Sequence, residues 1–406
     1  MKVVISGYYG FDNAGDEAVL TAMLAQLHRL HPGVRPVVLS SRPEKTARRH
    51  RVDAIPRLSP GAVARVLRGA DLFISGGGTL LQDATGWGSV PYYGGLMLWA
   101  RRLGVPVFVY AQGIGPLRRP ALRRLAGRAL AGAAAVTVRD RASAAAAQEL
   151  GVPAERLAVT ADPVFGLAPG PAEIGARFPG PALRACGPGR EEAAARWLAA
   201  LPPGPLIGVS LRPWPGSATG QRPRGGDSIP DGLSLAERVA ALLKSRLVGC
   251  EARVLPLPLY PSQDGPLLER LVAALGPYAV AWPEEVSPAD LSPWDWLELF
   301  GRLDLCLTMR LHGLIFAACA GVPFVALGDD PKLAGHVVEL GLPQDPFLVP
   351  GLDGPEATDR VAAAVAALWH QRAAWGPTVA AGAARLAQRA RATARYALAA
   401  AKGAAA

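Results

Sequence analysis

Two polar side chains, Arg310 and His312, follow an apolar stretch at residues 303–307 and precede a second one at residues 314–320. This pattern predicts a strand that ends in Arg and His and is followed at once by Gly313 and a helix. The carboxyl edge of a parallel sheet, where these side chains would lie, is where open α/β folds bind ligands. The Arg guanidinium group stays charged and can donate two hydrogen bonds to a carboxylate or a phosphate, whereas the His imidazole can exchange a proton near neutral pH. The pair therefore predicts a site for an anionic substrate and for proton transfer.

A second arginine, Arg212, ends another predicted strand, at residues 206–211 in the same half of the chain. A small molecule that bears both a carboxylate and a phosphate needs two guanidinium forks, so Arg212 and Arg310 together suit such a ligand. A surface arginine before Pro213 is the alternative. Lys332 follows a further predicted strand and could add a phosphate contact, or could be a solvated loop lysine.

A glycine-rich turn follows the first predicted strand, at residues 3–6. Its glycines allow close backbone approach, and the N–H groups at the start of the next helix attract an anion or a hydroxyl-rich ligand. Asn13 and Asp16 are candidates to contact that ligand, although capping the helix is the commonest role of such residues there. The turn lacks the G-x-G-x-x-G spacing of dinucleotide-binding proteins, which disfavours NAD.

Three more turns are predicted at strand ends in the first half. The three glycines at 76–78 leave their backbone N–H groups accessible to a phosphate or a sugar. A tight strand-to-helix turn would need fewer glycines than this. The turn at 110–116 has the same placement, with Gln112 as the polar group facing the ligand. Arg139 and Asp140, after the strand at 135–138, fit a structural salt bridge as well as a ligand contact.

Apolar runs alternate with helical patterns in both halves of the chain, which predicts parallel sheets covered on both faces. The expected fold is α/β, with two Rossmann-like domains facing each other across a cleft in the glycosyltransferase-B arrangement, followed by C-terminal helices. The predicted boundaries are 1–168 for the N-terminal domain, 169–205 for a Gly/Pro-rich connection, 206–375 for the C-terminal domain and 376–406 for an Ala/Arg-rich helical tail.

The composition of the 406-residue chain excludes several classes of protein. No apolar stretch reaches the length of about 20 residues that a membrane span needs, and the start lacks a signal-peptide core, so we expect a cytoplasmic protein. The four cysteines are scattered and have no metal-binding spacing. The formal net charge of +10 is spread along helices without a nucleic-acid motif, so an anionic membrane surface is a better partner than nucleic acid.

Seven motifs occur in the order found in the polysaccharide pyruvyl transferases, and the chain most resembles the bacterial CsaB type that acts on cell-wall polymers. They are N-x-G-D-E at 13–17, S-G-G-G-x-L-x-Q-D at 75–83, Q-G-I-G-P at 112–116, V-R-D at 138–140, D-P-V-F at 162–165, S-L-R-x-W at 210–214 and M-R-L-H-G at 309–313. The resemblance covers residues 1 to about 335. Residues beyond Gly335 and the Gly/Pro-rich connection contribute nothing to it.

The resemblance implies transfer of the carboxyethylidene group of phosphoenolpyruvate to two hydroxyls of a sugar, which gives a cyclic ketal and phosphate. The implied acceptor is an N-acetylmannosamine-containing, lipid-linked precursor of a secondary cell-wall polymer, whose pyruvyl groups later anchor S-layer proteins. Such an enzyme could lie peripherally at the inner face of the plasma membrane. No metal and no cofactor other than the co-substrate phosphoenolpyruvate is expected.

By resemblance, two sets of residues would form the site. The donor side comprises Arg212, Arg310, Leu311 through its backbone, and His312, with Lys332 added as a candidate phosphate contact. The acceptor side comprises Asn13, Gly15, Asp16, Glu17, Gly76, Gly77, Gly78, Gln82, Asp83 and Gln112. His312 would supply or shuttle a proton, and Asp16 would act as the base that activates a hydroxyl.

Two other functions share parts of this pattern. A nucleotide-sugar glycosyltransferase would have the same fold and could use Arg310 on a diphosphate. A non-catalytic sugar-phosphate-binding protein would also need the arginines, but it would not need His312, because binding an anion requires no proton transfer. The loops at 85–93 and 215–231 are rich in Gly and aromatic residues or Arg, which suits sugar stacking.

Overall fold

The computed structural model of the chain describes residues 1–84, 86–168, 190–213, 232–247, 251–352 and 356–403. The first half of the chain forms one parallel sheet with the strand order β3-β2-β1-β4-β6-β7-β8, and β5 pairs with the end of β6. The strands are β1 (Lys2–Ser6), β2 (Arg35–Ser40), β3 (Asp53–Pro56), β4 (Leu72–Ser75), β5 (Gly78–Leu81), β6 (Val107–Ile114), β7 (Ala135–Val138) and β8 (Leu157–Val159). The order reverses between β1 and β4, so their carboxyl ends form the topological switch point of this sheet.

Helices cover both faces of the first sheet. They are α1 (Ala14–Leu30), α2 (Pro43–His50), α3 (Pro60–Leu67), α4 (Ser89–Arg102), α5 (Pro120–Ala131) and α6 (Arg141–Glu149). Because both faces are covered, the central strands are continuous apolar runs, and the Val3, Val4 and Ile5 side chains of β1 are fully buried. Burial of each such side chain contributes about 1.5–3 kcal/mol to folding.

A second parallel sheet has the strand order β10-β9-β11-β12-β13. Its strands are β9 (Leu206–Ser210), β10 (Arg253–Pro256), β11 (Leu305–Thr308), β12 (Phe324–Leu327) and β13 (Leu348–Val349). The helices of this part are α7 (Arg190–Ala199), α8 (Gly232–Leu247), α9 (Pro261–Leu275), α10 (Pro293–Phe300), α11 (Leu311–Cys319), α12 (Pro331–Glu339), α13 (Gln344–Phe347), α14 (Glu356–His370) and α15 (Arg372–Gly403). Here the strand order reverses between β9 and β11, which places the switch point at their carboxyl ends.

The chain divides into two compact units. Unit 1 comprises residues 1–187 and 385–406, and unit 2 comprises residues 188–384. Helix α15 belongs to both, and its Ala394 and Ala397 are buried in the core of unit 1 beside β1 and β6 residues. Within the described residues, no helix combines the length and the hydropathy that crossing a membrane requires.

The predicted fold class is confirmed, since both halves are α/β units built on parallel sheets. Three strands, β3, β5 and β13, were missing from the sequence-based prediction. The Gly/Pro-rich connection lies outside the described residues between 169 and 189, and so does the predicted loop at 215–231.

One predicted turn is wrong, and another leads into a strand that was not predicted. Gly76 and Gly77 connect β4 to β5, which begins at Gly78, while α4 begins only at Ser89. Gln112 lies inside β6, which runs on to Ile114. The strand before His312 also ends earlier than predicted, at Thr308, and His312 lies in the first turn of α11.

Candidate functional site

Arg212 and Arg310 originate from matching positions on neighbouring strands of unit 2. Ser210 at the end of β9 is the register partner of Thr308 at the end of β11. Arg212 comes two residues after Ser210, and Arg310 comes two residues after Thr308. Neighbouring strands lie about 4.8 Å apart, so both side chains leave the sheet at the switch point. The parallel pairing of β9 and β11 therefore brings together the two guanidinium groups that the sequence singled out.

The Arg310 side chain is fixed by two acceptors on helix α9. Its Nε donates to Asp264 Oδ1 at 3.1 Å, and its Nη2 donates to the same oxygen and, at 3.1 Å, to Gln263 Oε1. The Tyr260 ring lies 5.7 Å from the guanidinium carbon. The side chain keeps 17% of its surface exposed, so it is held in one orientation while part of it stays accessible.

Asp264 is a candidate functional residue that the sequence analysis missed. It lies in the first turn of α9, its side chain is completely buried, and its Oδ2 accepts a hydrogen bond from the Tyr260 backbone at 2.9 Å. Burial raises the pKa of Asp264, and the neighbouring Arg310 opposes that shift. Its position shortly after β10, a third strand end in the same half, was the available signal. Asp264 serves to position the Arg310 guanidinium.

Arg212 is paired with Asp330, which also starts the next helix. Arg212 Nη2 donates to Asp330 Oδ2 at 3.2 Å, while Asp330 Oδ1 accepts from the Lys332 backbone at 3.0 Å and caps α12. Burial lowers the pKa of Arg212, Asp330 opposes this effect, and the charge of Arg310 adds to it. The two guanidinium groups are thus close enough to repel each other, and an anion bound between them would relieve that repulsion.

His312 lies in the first turn of α11, two residues after Arg310. Arg310 is the N-cap residue of this helix, and His312, which is partly exposed, is its second residue. Gly313 has to be glycine, because a Cβ atom there would overlap the Thr308 side chain. The close packing of helix against strand directs the N–H groups of the first turn toward the sheet edge, where such groups attract anions.

The switch point of unit 1 brings Asp16 next to the three glycines. A Cβ atom on Gly76 would overlap the Tyr9 hydroxyl, and one on Gly78, whose φ is +87°, would lie 3.1 Å from Asp16 Oδ1. The glycines are therefore required by close packing, in addition to any contact with a ligand. Asp16 is partly exposed and lies in the first turn of α1.

The other residues of the 13–17 segment support the loop. The Asn13 side chain accepts a hydrogen bond from the Gly15 backbone at 3.0 Å and caps α1, which was the alternative role considered for it. Glu17 is buried, and its two oxygens accept from the Gly10 backbone at 2.9 Å and from His50 Nε2 at 2.8 Å. Burial raises the pKa of Glu17, but hydrogen bonding and ion pairing with His50 outweigh it and lower the pKa overall. In this segment Asp16 is the acidic side chain that is partly exposed.

Three further predicted site residues make internal contacts. Gln112 is fully buried and donates from Nε2 to Ser75 Oγ at 2.6 Å. Gln82 Oε1 accepts from the Ala84 backbone at 2.7 Å. Asp83 is buried and accepts from the backbone N–H groups of Arg118, at 2.9 Å, and Arg119, at 2.7 Å. These contacts give all three side chains a structural role.

Asp83 leads to a testable prediction about stability. Its carboxylate is the acceptor for two loop N–H groups, so Asp83→Ala should lower the free energy of unfolding by about 1–3 kcal/mol. Burial raises the pKa of Asp83, but the hydrogen bonds from Arg118 and Arg119 outweigh it and lower the pKa. The stabilisation is therefore complete above the unfolded-state pKa and is lost as the pH falls through the folded-state pKa. Chemical denaturation at several pH values would test this, and an equal loss of stability at low and neutral pH would contradict it.

Arg139 forms the predicted structural ion pair with Asp140, with 3.6 Å between Nε and Oδ2, and a closer one with Asp162. Its side chain is buried, and it donates to Asp162 Oδ2 at 3.1 Å and to Thr79 Oγ1 at 2.9 Å. These bonds tie β5, β7 and the segment after β8 together. They also explain why arginine and aspartate stand in the motifs at 138–140 and 162–165.

Solved structures with the same fold include several proteins bound to UDP or a UDP-sugar. The chain matches S. aureus MnaA in its co-structure with UDP with a TM-score of 0.58 and 11% identity, over 94% of this chain and 91% of that chain. It matches Anabaena HepE in complex with UDP and glucose with a TM-score of 0.55 and 15% identity, over 96% and 95%. It matches Neisseria meningitidis UDP-GlcNAc 2-epimerase bound to UDP-GlcNAc with a TM-score of 0.56 and 11% identity, over 96% and 98%. At these identities the likeness shows the fold alone, which is glycosyltransferase-B-like.

No curated protein sequence matches the chain significantly. A family model for polysaccharide pyruvyl transferases does match, over residues 13–331. The matched region includes both switch points, from Asn13 and Asp16 in unit 1 to Arg310 and His312 in unit 2. Since this region makes up most of the 406 residues, the chain belongs to the polysaccharide pyruvyl transferase family and is a transferase.

Proposed function

We propose that the chain transfers the carboxyethylidene group of phosphoenolpyruvate to two hydroxyls of a sugar. The observation that carries the proposal is the pair of guanidinium groups at the β9–β11 switch point, each anchored by a carboxylate, with His312 in the first turn of the helix that Arg310 starts. A molecule with a carboxylate and a phosphate complements two fixed cations better than a ligand with one anionic group does.

The proposed reaction assigns a task to each donor-side residue. The methylene carbon of phosphoenolpyruvate takes up a proton, the adjacent carbon forms bonds to two acceptor oxygens, and its bond to the phosphate oxygen breaks. Of the two protons that the hydroxyls lose, one balances the new methyl group and the other leaves with phosphate. His312 supplies or shuttles the proton to carbon, while Arg212 and Arg310 orient the donor and stabilise the departing phosphate. Leu311 contributes its backbone, and Lys332 is an additional candidate contact for the phosphate.

Asp16 is the proposed base that takes a proton from the acceptor hydroxyl. Asp16→Asn should reduce turnover about a hundredfold or more while leaving the binding of phosphoenolpyruvate unchanged. The helix should still form, because Asn13 and not Asp16 caps α1. Steady-state kinetics combined with donor titration would test this, with Asp53→Asn, an exposed position at the start of β3, as the control. Normal turnover by Asp16→Asn would remove Asp16 from the reaction.

The proposed acceptor is an N-acetylmannosamine-containing, lipid-linked saccharide of the kind used by the CsaB type. The seven ordered motifs and the family membership support this proposal, and the backbone around Gly76, Gly77 and Gly78, with Gly15, would lie against the acceptor. The enzyme would work in the cytoplasm, at the inner face of the membrane that carries the lipid, and would need no cofactor beyond phosphoenolpyruvate.

A nucleotide-sugar glycosyltransferase is the second candidate, because several proteins of the same fold were solved with UDP or a UDP-sugar. Calorimetric titration with phosphoenolpyruvate and, separately, with UDP- and GDP-sugars distinguishes the two. Binding of phosphoenolpyruvate is expected, and binding of nucleotide sugars alone would favour the glycosyltransferase.

A further inference from the structure

Arg57 lies among aromatic rings at the carboxyl edge of the first sheet. It directly follows β3, and its guanidinium carbon lies 4.2 Å from the centroid of the Tyr92 ring, 5.2 Å from that of Phe11 and 5.6 Å from that of Tyr93. Phe11 belongs to the loop after β1, and the two tyrosines belong to the first turns of α4. We call these four residues the Arg57 cluster.

The cluster is held rigidly in place. The Tyr92 hydroxyl donates to the Arg57 carbonyl at 3.1 Å, and the Arg57 N–H donates to the Ser40 carbonyl at 2.9 Å. Tyr8 stacks on Phe11 with 4.0 Å between ring centroids. The backbone and the rings are thus fixed, and the position of the guanidinium group follows from them.

The positive charge of Arg57 has no acidic partner within the described parts of the chain, and its Nε is buried there without a hydrogen-bond partner. Two other arginines of unit 1 do have acidic partners, since the buried Arg139 pairs with Asp162 and the partly buried Arg49 lies against Glu17. A partly buried cation whose Nε donor is unused is costly, and contact with aromatic faces offsets only part of that cost. An anionic ligand would complete the set of interactions.

A second buried polar group lies in the same cluster. Tyr93 is 4% exposed, and its hydroxyl lies near the Arg57 side chain but makes no well-formed hydrogen bond among the described residues. Burial raises the pKa of Tyr93, Arg57 opposes the shift and Asp16 adds to it, so the hydroxyl lies within electrostatic range of both charges and stays protonated as a donor.

We infer that Arg57 and Tyr93 form a subsite for an anionic group on the acceptor, either a phosphate or a carboxylate carried by the sugar. The inference rests on the proposed function for its assignment to the acceptor, and Asp16 lies within electrostatic range of Tyr93. The aromatic rings of Phe11 and Tyr92 would flank the sugar adjoining the anion. The subsite belongs entirely to unit 1, whereas the donor arginines belong to unit 2.

The experiment is a calorimetric titration with inorganic pyrophosphate and, separately, with glucuronate, each in the presence of saturating phosphoenolpyruvate to occupy the donor arginines. We expect one of the two anions to bind the wild-type protein. Binding of pyrophosphate would identify phosphate as the group recognised, and binding of glucuronate would identify carboxylate. Arg57→Gln should weaken that binding by about ten- to a hundredfold. The control is Arg65→Gln, an exposed arginine of α3, which should bind as wild type does.

Tyr93→Phe keeps the ring and removes one oxygen, so it tests the subsite even if Arg57→Gln fails to fold. It should retain the wild-type melting temperature and weaken anion binding severalfold. Failure of both anions to bind wild type, or unchanged binding by the two variants, would overturn the inference and make the cluster structural. If phosphoenolpyruvate itself does not bind, the proposed function fails instead, and the same titrations on Arg310→Lys without phosphoenolpyruvate still test the Arg57 cluster.

Discussion

Arg310→Lys should fold normally but bind phosphoenolpyruvate about ten- to a hundredfold more weakly than wild type. The guanidinium group contacts Asp264 and Gln263 through Nε and Nη2, and within the described residues its Nη1 makes no hydrogen bond. Arginine can therefore keep its internal partners while it contacts a ligand. A lysine ammonium is a single point charge that would have to choose between them.

Calorimetric titration with phosphoenolpyruvate and a thermal melt test this prediction together. Lysine still neutralises the buried Asp264, so the melting temperature should change little, whereas Arg310→Ala would leave a buried carboxylate unpaired and confound the measurement. The matched control is Arg302→Lys, a half-exposed arginine of unit 2 that pairs with Glu298. Wild-type affinity in Arg310→Lys would make Arg310 only the structural partner of Asp264.

His312→Gln should bind phosphoenolpyruvate with wild-type affinity and lower kcat by about a hundred- to ten-thousandfold. Glutamine keeps a polar side chain of similar length in the first turn of α11, but it cannot exchange a proton near neutral pH. The loss should therefore appear in turnover and not in donor affinity.

Donor titration and single-turnover phosphate release separate these two effects. The control is His370→Gln, an exposed histidine at the end of α14. If His312→Gln lost affinity and turnover in parallel, the side chain would be a clamp for the donor, and another group would have to protonate the methylene carbon.

Much of this arrangement can be predicted from the sequence, because the signals are local. Continuous apolar runs gave most of the strands, and Arg212, Arg310 and His312 stand directly after two of them. The expectation that such side chains lie at sheet edges needs only the alternation of strands and helices. The α/β fold and its two parallel sheets follow from the same alternation.

Pairing between distant residues could not be predicted in this way. Asp264 precedes Arg310 by 46 residues and becomes its partner only through the packing of α9 beside the sheet. Strand β5 was missed because it begins at the last of three successive glycines, and glycine usually indicates a turn. Gln112 and Asp83 are typical ligand-binding residue types, and only their buried contacts with Ser75 and the loop at 118–119 show their internal roles. The Arg57 cluster likewise combines three separate loops and helices.

The register of β9 against β11 has a consequence for how the protein responds to its donor. The proposed donor groups come from distant points of the chain and meet only when this non-local strand pair has formed, so no fragment with an unpaired β11 can bind. A ligand that binds only the native state stabilises whatever must be folded to bind it. Phosphoenolpyruvate should therefore slow hydrogen exchange in β9, β11 and the start of α11, while amides in the core of unit 1 exchange at their ligand-free rates. Exchange protection would thus map the cooperative folding unit to which the donor site belongs.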